Sequence, residues 1–134
     1  MTRGDELARI ACGFLGTPFR LHGRDPSIGL DCVGLVTASL TAMGVPVITP
    51  VGYRLRNRKI DQWLGAATDA GLTTVHDQIE AGDVLLIRPG PMQHHLLIAA
   101  SPASAIHAHA GLGRVVRQPI EVNAAHIKQW RLTD

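Results

Sequence analysis

The sequence has 134 residues, of which 46% are hydrophobic, and this length and composition fit one compact domain with a buried core. Thirteen basic residues stand against eleven acidic residues, so the formal net charge is only +2, and the aromatic content is 4%. Such a chain has neither the basic patch nor the stacking side chains typical of nucleic-acid binding. We therefore predict a single domain over residues 1–134 and no nucleic-acid partner.

The N-terminal segment, MTRGDELARIACGFLG, is not typical of a signal peptide, because Asp5, Glu6 and Arg9 interrupt its apolar residues. No apolar run in the chain approaches the length needed to cross a bilayer. We expect a protein that is made in the cytoplasm and has no membrane span. Its two cysteines are too few for a disulfide framework, so free thiols are expected.

Three helices are predicted in the first half of the chain. The first carries an apolar stripe and ends near Gly16; the stripe is Leu7, Ile10, Ala11, Phe14 and Leu15. The second runs from Cys32 to Met43, is apolar or small on almost every face, and is stopped by Gly44, so we expect it to be the buried central helix. The third is outlined by Ile60, Trp63, Leu64 and Ala67 and ends at Gly71.

Beyond residue 72 the helical period disappears and short β-prone runs follow one another. These runs are TTVH, DVLLIR, HLLIAA, SAIHAHA and RVVRQPI, and the residues between them include Gly, Pro and Ser. Strands and helices do not alternate, which disfavours a doubly wound parallel sheet. The predicted fold class is α+β, with N-terminal helices packed on a C-terminal antiparallel sheet.

Cys32 begins the predicted central helix, directly after the turn that contains Gly29. A helix N-terminus stabilises a thiolate through backbone N–H groups that have no helical acceptor, so we expect the pKa of Cys32 to be lowered. The backbone N–H of Cys32 could also stabilise an oxyanion. A small apolar side chain packed at a helix start is the alternative interpretation of Cys32.

Histidines supply the candidate base. His94 and His95 should point to opposite faces of a strand, whereas His107 and His109 should share one face. If His95 faces Cys32, either His107 or His109 could hold its second ring nitrogen, as the third member of a catalytic triad does. His94 is predicted to face solvent.

Four segments in this order and spacing resemble the NlpC family of papain-like cell-wall peptidases. They are LGTPFRLHGRDPSIGLDCVGLV, AGDVLLIRPG, HHLLIA and AIHA, and the resemblance covers most of the chain. It implies a papain-like fold with the nucleophile at the N-terminus of the central helix. It is closest to the type found in phage tails and gene transfer agents, so proteins of those assemblies are candidate partners and virion association is a candidate location.

The resemblance implies Cys32 as nucleophile, His95 as base and then acid, and His107, twelve residues later, as the residue that orients His95. It implies that Asp31 helps to bind the free amino end of a short cell-wall peptide. The implied substrate is the peptidoglycan stem peptide, cleaved between D-glutamate and the diamino acid, and no cofactor is implied.

Two substrate-binding positions depart from the family pattern. The usual tyrosine of the GTPY element is Phe19, and the usual serine after the nucleophile is Val33. Each change removes a polar group that could contact substrate. One alternative function is therefore a phage-tail assembly or wall-binding module that keeps the fold with little or no turnover.

A second alternative is a zinc-dependent hydrolase, in which Cys32, His95, His107 and His109 would be the ligands, because thiolate and imidazole are good zinc ligands. No HExxH or Cys-x-x-Cys motif accompanies them. The remaining candidates are interpreted as structural: Cys12 flanks a core stripe, and three isolated histidines are expected on the surface or in loops, namely His22, His76 and His126.

Overall fold

The computed structural model describes residues 2–47, 67–88, 94–120 and 126–133. Two helices, α1 and α2, span Arg3–Cys12 and Cys32–Ala42. Two short strands lie between them, β1 at Arg24–Asp25 and β2 at Gly29–Leu30. Six more strands follow: β3 (Leu72–Thr74), β4 (Val84–Ile87), β5 (His95–Ser101), β6 (Ser104–His109), β7 (Arg114–Pro119) and β8 (His126–Leu132).

Helix α1 begins with a capping box. The Thr2 hydroxyl accepts the Asp5 N–H, and the Asp5 carboxylate accepts the Thr2 N–H, which satisfies two backbone donors at the helix start. The helix ends at Cys12, earlier than the stripe predicts, because the chain turns from residue 13 onward. Leu15 is consequently 43% exposed, and its assignment to the buried stripe is wrong.

Helix α2 confirms the predicted central helix to within one residue. Asp31 is its N-cap, Met43 its C-cap, and Gly44 follows with a φ of 82°, the left-handed conformation that glycine adopts without strain. The helix packs against α1 and against strands β5 and β6. Its buried position places the Cys32 end of the helix beside the sheet.

The third predicted helix falls largely outside the described residues. Ile60, Trp63 and Leu64 lie in the stretch 48–66, of which nothing is described. Residues 67–69 are helical, and Gly71 has a φ of 84°, so the described end of this segment agrees with the predicted stop at Gly71.

The sheet has the strand order β3-β8-β4-β5-β6-β7, and every pair of neighbours is antiparallel. All five predicted β-prone runs form strands of this sheet. The structure adds β8, which lies between β3 and β4 and starts at His126. His126 was expected on the surface or in a loop; the loop alternative is wrong, because this segment pairs along both of its edges, and the exposure of the His126 side chain lies outside what is described.

Apolar side chains pack on both faces of the sheet. The larger cluster joins the two helices to residues such as Leu96, Ile98 and Ile106, and the smaller one contains Leu85, Leu97 and Ala105. This two-sided burial follows from the alternation of side chains along each strand. The predicted α+β class, with the helices packed on an antiparallel sheet, is confirmed. Neither helix in the described part of the chain has the length and apolarity that a bilayer span requires.

Candidate active site

A buried aspartate fixes the loop in front of the candidate nucleophile. The Asp31 side chain is fully buried, and its Oδ1 accepts hydrogen bonds from the Gly34 N–H (2.8 Å) and from Arg24 Nη1 (3.0 Å). Its Oδ2 accepts the His22 N–H at 2.8 Å. The carboxylate is thus buried and caps the first turn of α2, and its predicted contact with a peptide amino group stays a prediction.

The backbone of the turn between Gly23 and Gly29 lies directly against the first turn of α2. A Cβ atom at Gly34 would collide with the carbonyl oxygen of Gly23, and a Cβ at Gly23 would collide with the carbonyl oxygen of Gly29. Only glycine permits this close approach without moving the backbone. The turn and the helix start are thus packed as one rigid support for Cys32.

The Cys32 side chain lies at this helix start with 4% of its surface exposed. Burial raises the pKa of its thiol to about 11, and the negative charge of Asp31 acts in the same direction. Hydrogen bonding from the backbone N–H groups of Leu96 and Val33 and the charge of Arg24 act against this rise. The expectation of a lowered pKa is wrong, because desolvation outweighs the stabilising amides.

A chain of hydrogen bonds runs through the two histidines and a glutamine. His95 Nε2 lies 2.9 Å from His107 Nδ1, and the two rings are nearly perpendicular, at 81°. His107 Nε2 lies 2.7 Å from Oε1 of Gln118 on β7. Adjacent antiparallel strands therefore hold three polar side chains in line, all of them partly buried.

Burial, together with the neighbouring rings of His107 and His109, lowers the pKa of His95 to about 3. Burial also lowers the pKa of His107, although its hydrogen bond to Gln118 acts in the opposite direction. Both imidazoles are consequently neutral near pH 7. A neutral imidazole can accept a proton, which is what a general base needs.

The Cys32 sulfur contacts the backbone directly beside the residue that carries the candidate base, His95. The thiol is in contact with the backbone N–H of Leu96, the residue that follows His95 at the start of β5. Among the described residues, no hydrogen bond joins Cys32 Sγ to the His95 ring, and catalytic hydrogen bonds are often long before substrate binds. The sulfur thus contacts the strand end that carries the imidazole, without a direct hydrogen bond to the ring.

The geometry distinguishes His107 from His109. His107 hydrogen-bonds to His95, whereas His109 Nδ1 accepts the backbone N–H of Leu112 at 3.0 Å. The His107 and His109 rings lie 5.4 Å apart, so the two side chains share a face as the strand period predicts. His107 is the histidine in position to orient His95.

Other predicted side chains lie away from this chain of hydrogen bonds. Val33 is 4% exposed and packs in the main core, and its backbone N–H contacts the thiol, so its assignment to substrate binding stays a prediction. Phe19 is half-buried against the same core. His94 is 8% exposed, so its predicted solvent-facing position is wrong. It lies two residues before the buried Leu96, and residues two apart along an extended chain share a face.

The structural interpretation holds for three further residues. Cys12 is half-buried and packs against the core, and its thiol is not part of a disulfide. His22 and His76 are exposed and lie outside the helices and strands, as predicted.

Metal binding finds no support in the described ranges. No group of three or more His, Cys, Asp or Glu side chains in residues 2–47, 67–88, 94–120 and 126–133 could hold a metal ion. His95 and His107 instead direct ring nitrogens at each other, 2.9 Å apart. A zinc ion would need to lie at about 2.0–2.1 Å from each nitrogen, in the space that their hydrogen bond occupies.

Two contributions to the site escaped the sequence interpretation. The backbone N–H of Leu96 has no sequence signature, because every residue except proline has one. Gln118 lies in the run RVVRQPI, and its contact with His107 depends on the register of β6 and β7, in which His107 pairs with Val116. The signal available in the sequence was that Gln118 is a polar residue two positions after the residue that pairs with His107 on the neighbouring strand.

Comparison with known proteins agrees with this geometry. The model of the NlpC/P60 family matches residues 16–132. No curated protein matched the chain in sequence. Among solved structures, the NlpC/p60 domain of the peptidoglycan hydrolase SagA has a TM-score of 0.69 at 23% identity, with 98% of this chain and 100% of that chain covered.

Two further solved structures have the same fold. NlpC2 from Trichomonas vaginalis has a TM-score of 0.71 at 16% identity, over 96% of this chain and 47% of that chain. The peptidoglycan hydrolase RipB from Mycobacterium tuberculosis has a TM-score of 0.66 at 21% identity, over 98% of this chain and 65% of that chain. This chain thus spans less than half of the Trichomonas protein. The family match over most of its length shows that the chain belongs to the NlpC/P60 family of cysteine peptidases.

Proposed function

We propose that this protein is a peptidoglycan endopeptidase that cleaves the bond between D-glutamate and the diamino acid of stem peptides, with Cys32, His95 and His107 as its catalytic triad. The hydrogen bond between His95 Nε2 and His107 Nδ1 carries the proposal, because it holds the base in one orientation at the strand end beside the thiol. The solved structures of SagA and RipB, both described as peptidoglycan hydrolases, support the substrate class.

The first step starts from a neutral thiol and a neutral imidazole. As Cys32 Sγ forms a bond to the carbonyl carbon, the thiol proton passes to His95 Nδ1 and the carbonyl electron pair moves onto oxygen. The Cys32 N–H is one of the first-turn amides of α2 that have no acceptor within the helix, so it can donate to this oxyanion. Ionisation and attack are thereby coupled, and the resting enzyme does not store a thiolate.

In the second half of the reaction, the His95 imidazole acts first as a general acid and then as a general base. The protonated His95 gives its proton to the leaving amine of the diamino acid, which breaks the amide bond and leaves a thioester on Cys32. Water then attacks the thioester while His95 accepts its proton, and the sulfur leaves to take that proton back. His107 holds the ring in place throughout.

In this proposal Asp31 and Val33 support the start of α2, and the contact of Asp31, Phe19 and Val33 with substrate stays a prediction. Asp31 acts through the loop that it fixes, and Val33 through its backbone N–H. Association with phage-tail or gene-transfer-agent proteins stays a prediction from the sequence resemblance.

Mass spectrometry of muropeptides tests the proposal. Purified sacculi are incubated with wild type, with Cys32→Ala and with Cys12→Ala, the last as a matched cysteine control. We expect wild type and Cys12→Ala to release fragments cut after D-glutamate and Cys32→Ala to release none. Cleavage at another bond would overturn the substrate assignment. The absence of any cleavage by folded wild type would favour a binding module instead.

A further inference from the structure

Gln118 lies at the end of the hydrogen-bond chain that begins at His95. In the pairing of β6 with β7, His107 is opposite Val116, and Gln118 is two residues further along β7. Residues two apart on a strand share a face, so Gln118 is the diagonal neighbour of His107. The 2.7 Å distance between His107 Nε2 and Gln118 Oε1 is that of a good hydrogen bond.

The amide oxygen determines where the proton of His107 lies. Oε1 of Gln118 has no proton, so His107 Nε2 must be the donor of this hydrogen bond. A neutral imidazole carries one ring proton, which leaves His107 Nδ1 as an acceptor. His95 Nε2, at 2.9 Å from that acceptor, must therefore donate.

The tautomer of His95 decides whether its other ring nitrogen, Nδ1, can take up a proton. If the single proton of neutral His95 is on Nε2, its Nδ1 has a free lone pair and can accept the thiol proton. The reverse orientation of the amide would donate to His107 Nε2, place the proton of His107 on Nδ1, and leave His95 with its proton on Nδ1. That tautomer could not act as the base.

We propose that Gln118 is a positioning residue that sets the tautomer of His107 and, through it, the tautomer of His95. The catalytic consequence rests on the proposed function, in which His95 is the base. Gln118 touches neither the substrate nor the reacting atoms and acts entirely through the two rings.

The neighbouring histidine does not compete for this role. His109 Nδ1 accepts the Leu112 N–H, so a neutral His109 carries its proton on Nε2. Its hydrogen bond is made within the turn after β6, and the proton positions of His95 and His107 follow from Gln118 alone.

Nitrogen-15 NMR of histidine-labelled protein reports the tautomers directly, because protonated and unprotonated ring nitrogens have well separated shifts. In wild type at neutral pH we expect His95 and His107 both to carry the proton on Nε2. In Gln118→Met, which keeps the length of the side chain and removes the amide oxygen, we expect a mixture of tautomers at both rings. We expect kcat to fall about tenfold, the equivalent of one ordinary hydrogen bond, with little change in KM.

Arg117→Met is the matched control, because Arg117 is the neighbouring β7 residue, is exposed, and bonds to Ser104 instead of to a histidine. It should keep both the tautomers and the activity of wild type. A wild-type spectrum with the His95 proton on Nδ1 would overturn the proposal, and so would unchanged tautomers in folded Gln118→Met. If that variant does not fold, the wild-type spectrum alone decides.

The spectral readout separates this proposal from the proposed function. Expected tautomers in a protein that cleaves no stem peptide would contradict the function and support the assignment of Gln118. Cleavage by a protein with the reversed tautomers would contradict the assignment of Gln118 and leave the function in place.

Discussion

The protonation state of Cys32 gives the sharpest solution test of the resting site. Burial raises the pKa of its thiol to about 11, against about 8.5 for an ordinary cysteine. At pH 7 the thiolate fraction is then about 1 in 10,000, whereas an ordinary thiol has about 3%. The expected rate of alkylation is therefore roughly 300 times lower from ionisation alone.

The assay is the rate of iodoacetamide alkylation as a function of pH, measured on a Cys12→Ser protein so that only Cys32 reacts. The logarithm of the rate should rise with a slope of one from neutral pH toward about 11, because each pH unit gives tenfold more thiolate. Circular dichroism at each pH controls for unfolding at the alkaline end.

The refuting result is a rate that has already reached its plateau between pH 5 and 8. Such a plateau would mean a stable thiolate paired with a protonated His95, the opposite of a neutral thiol beside a neutral imidazole. A matching rise in thiolate absorbance near 240 nm over the same pH range would establish the contradiction independently.

Two further predictions concern the supports of the site. Gly34→Ala should lower the free energy of unfolding by at least about 1–3 kcal/mol and abolish activity, because the added Cβ collides with the carbonyl oxygen of Gly23. Denaturant titration measures the change in stability, and an unchanged midpoint would contradict this prediction. His95, neutral in the fold with a pKa of about 3 against an unfolded value near 6.5, binds its proton more readily when unfolded. Stability should therefore be full above pH 6.5 and decline toward pH 3, by up to about 1.4 kcal/mol per pH unit for this one proton. His95→Gln should reduce that slope between pH 4.5 and 6.5, and an equal slope in both proteins would refute the assignment.

Much of the fold was predictable because local patterns matched the final packing. The nearly continuous apolar run after Cys32 predicts a buried helix, and the five β-prone runs all became strands of one sheet. Strand β8 was missed because its pairing with β3 and β4 joins segments far apart in sequence. Leu15 fits the helical period but lies beyond the C-cap at Gly13, so the turn after α1 decided its exposure.

The proximity of His95 and His107 was easier to predict than the environments of the candidate site residues. The twelve-residue spacing from His95 to His107 indicated a pair, and the structure places them in contact. The burial of Asp31 and Val33 was not predicted, and the direction of the Cys32 pKa shift was predicted wrongly, because each depends on how deeply the start of α2 is buried. A sequence motif specifies which groups are present, and the packing around them sets their solvation.

The central claim is that the sulfur of Cys32 forms a covalent bond to the substrate. The most direct test is an acid quench during turnover of a synthetic stem peptide, followed by proteolysis and mass spectrometry of the cysteine-containing fragments. We predict an acyl adduct on Cys32, with the mass of the portion that ends in D-glutamate, and none on Cys12. Full turnover by Cys32→Ala, with no adduct on the wild-type sulfur, would contradict the account.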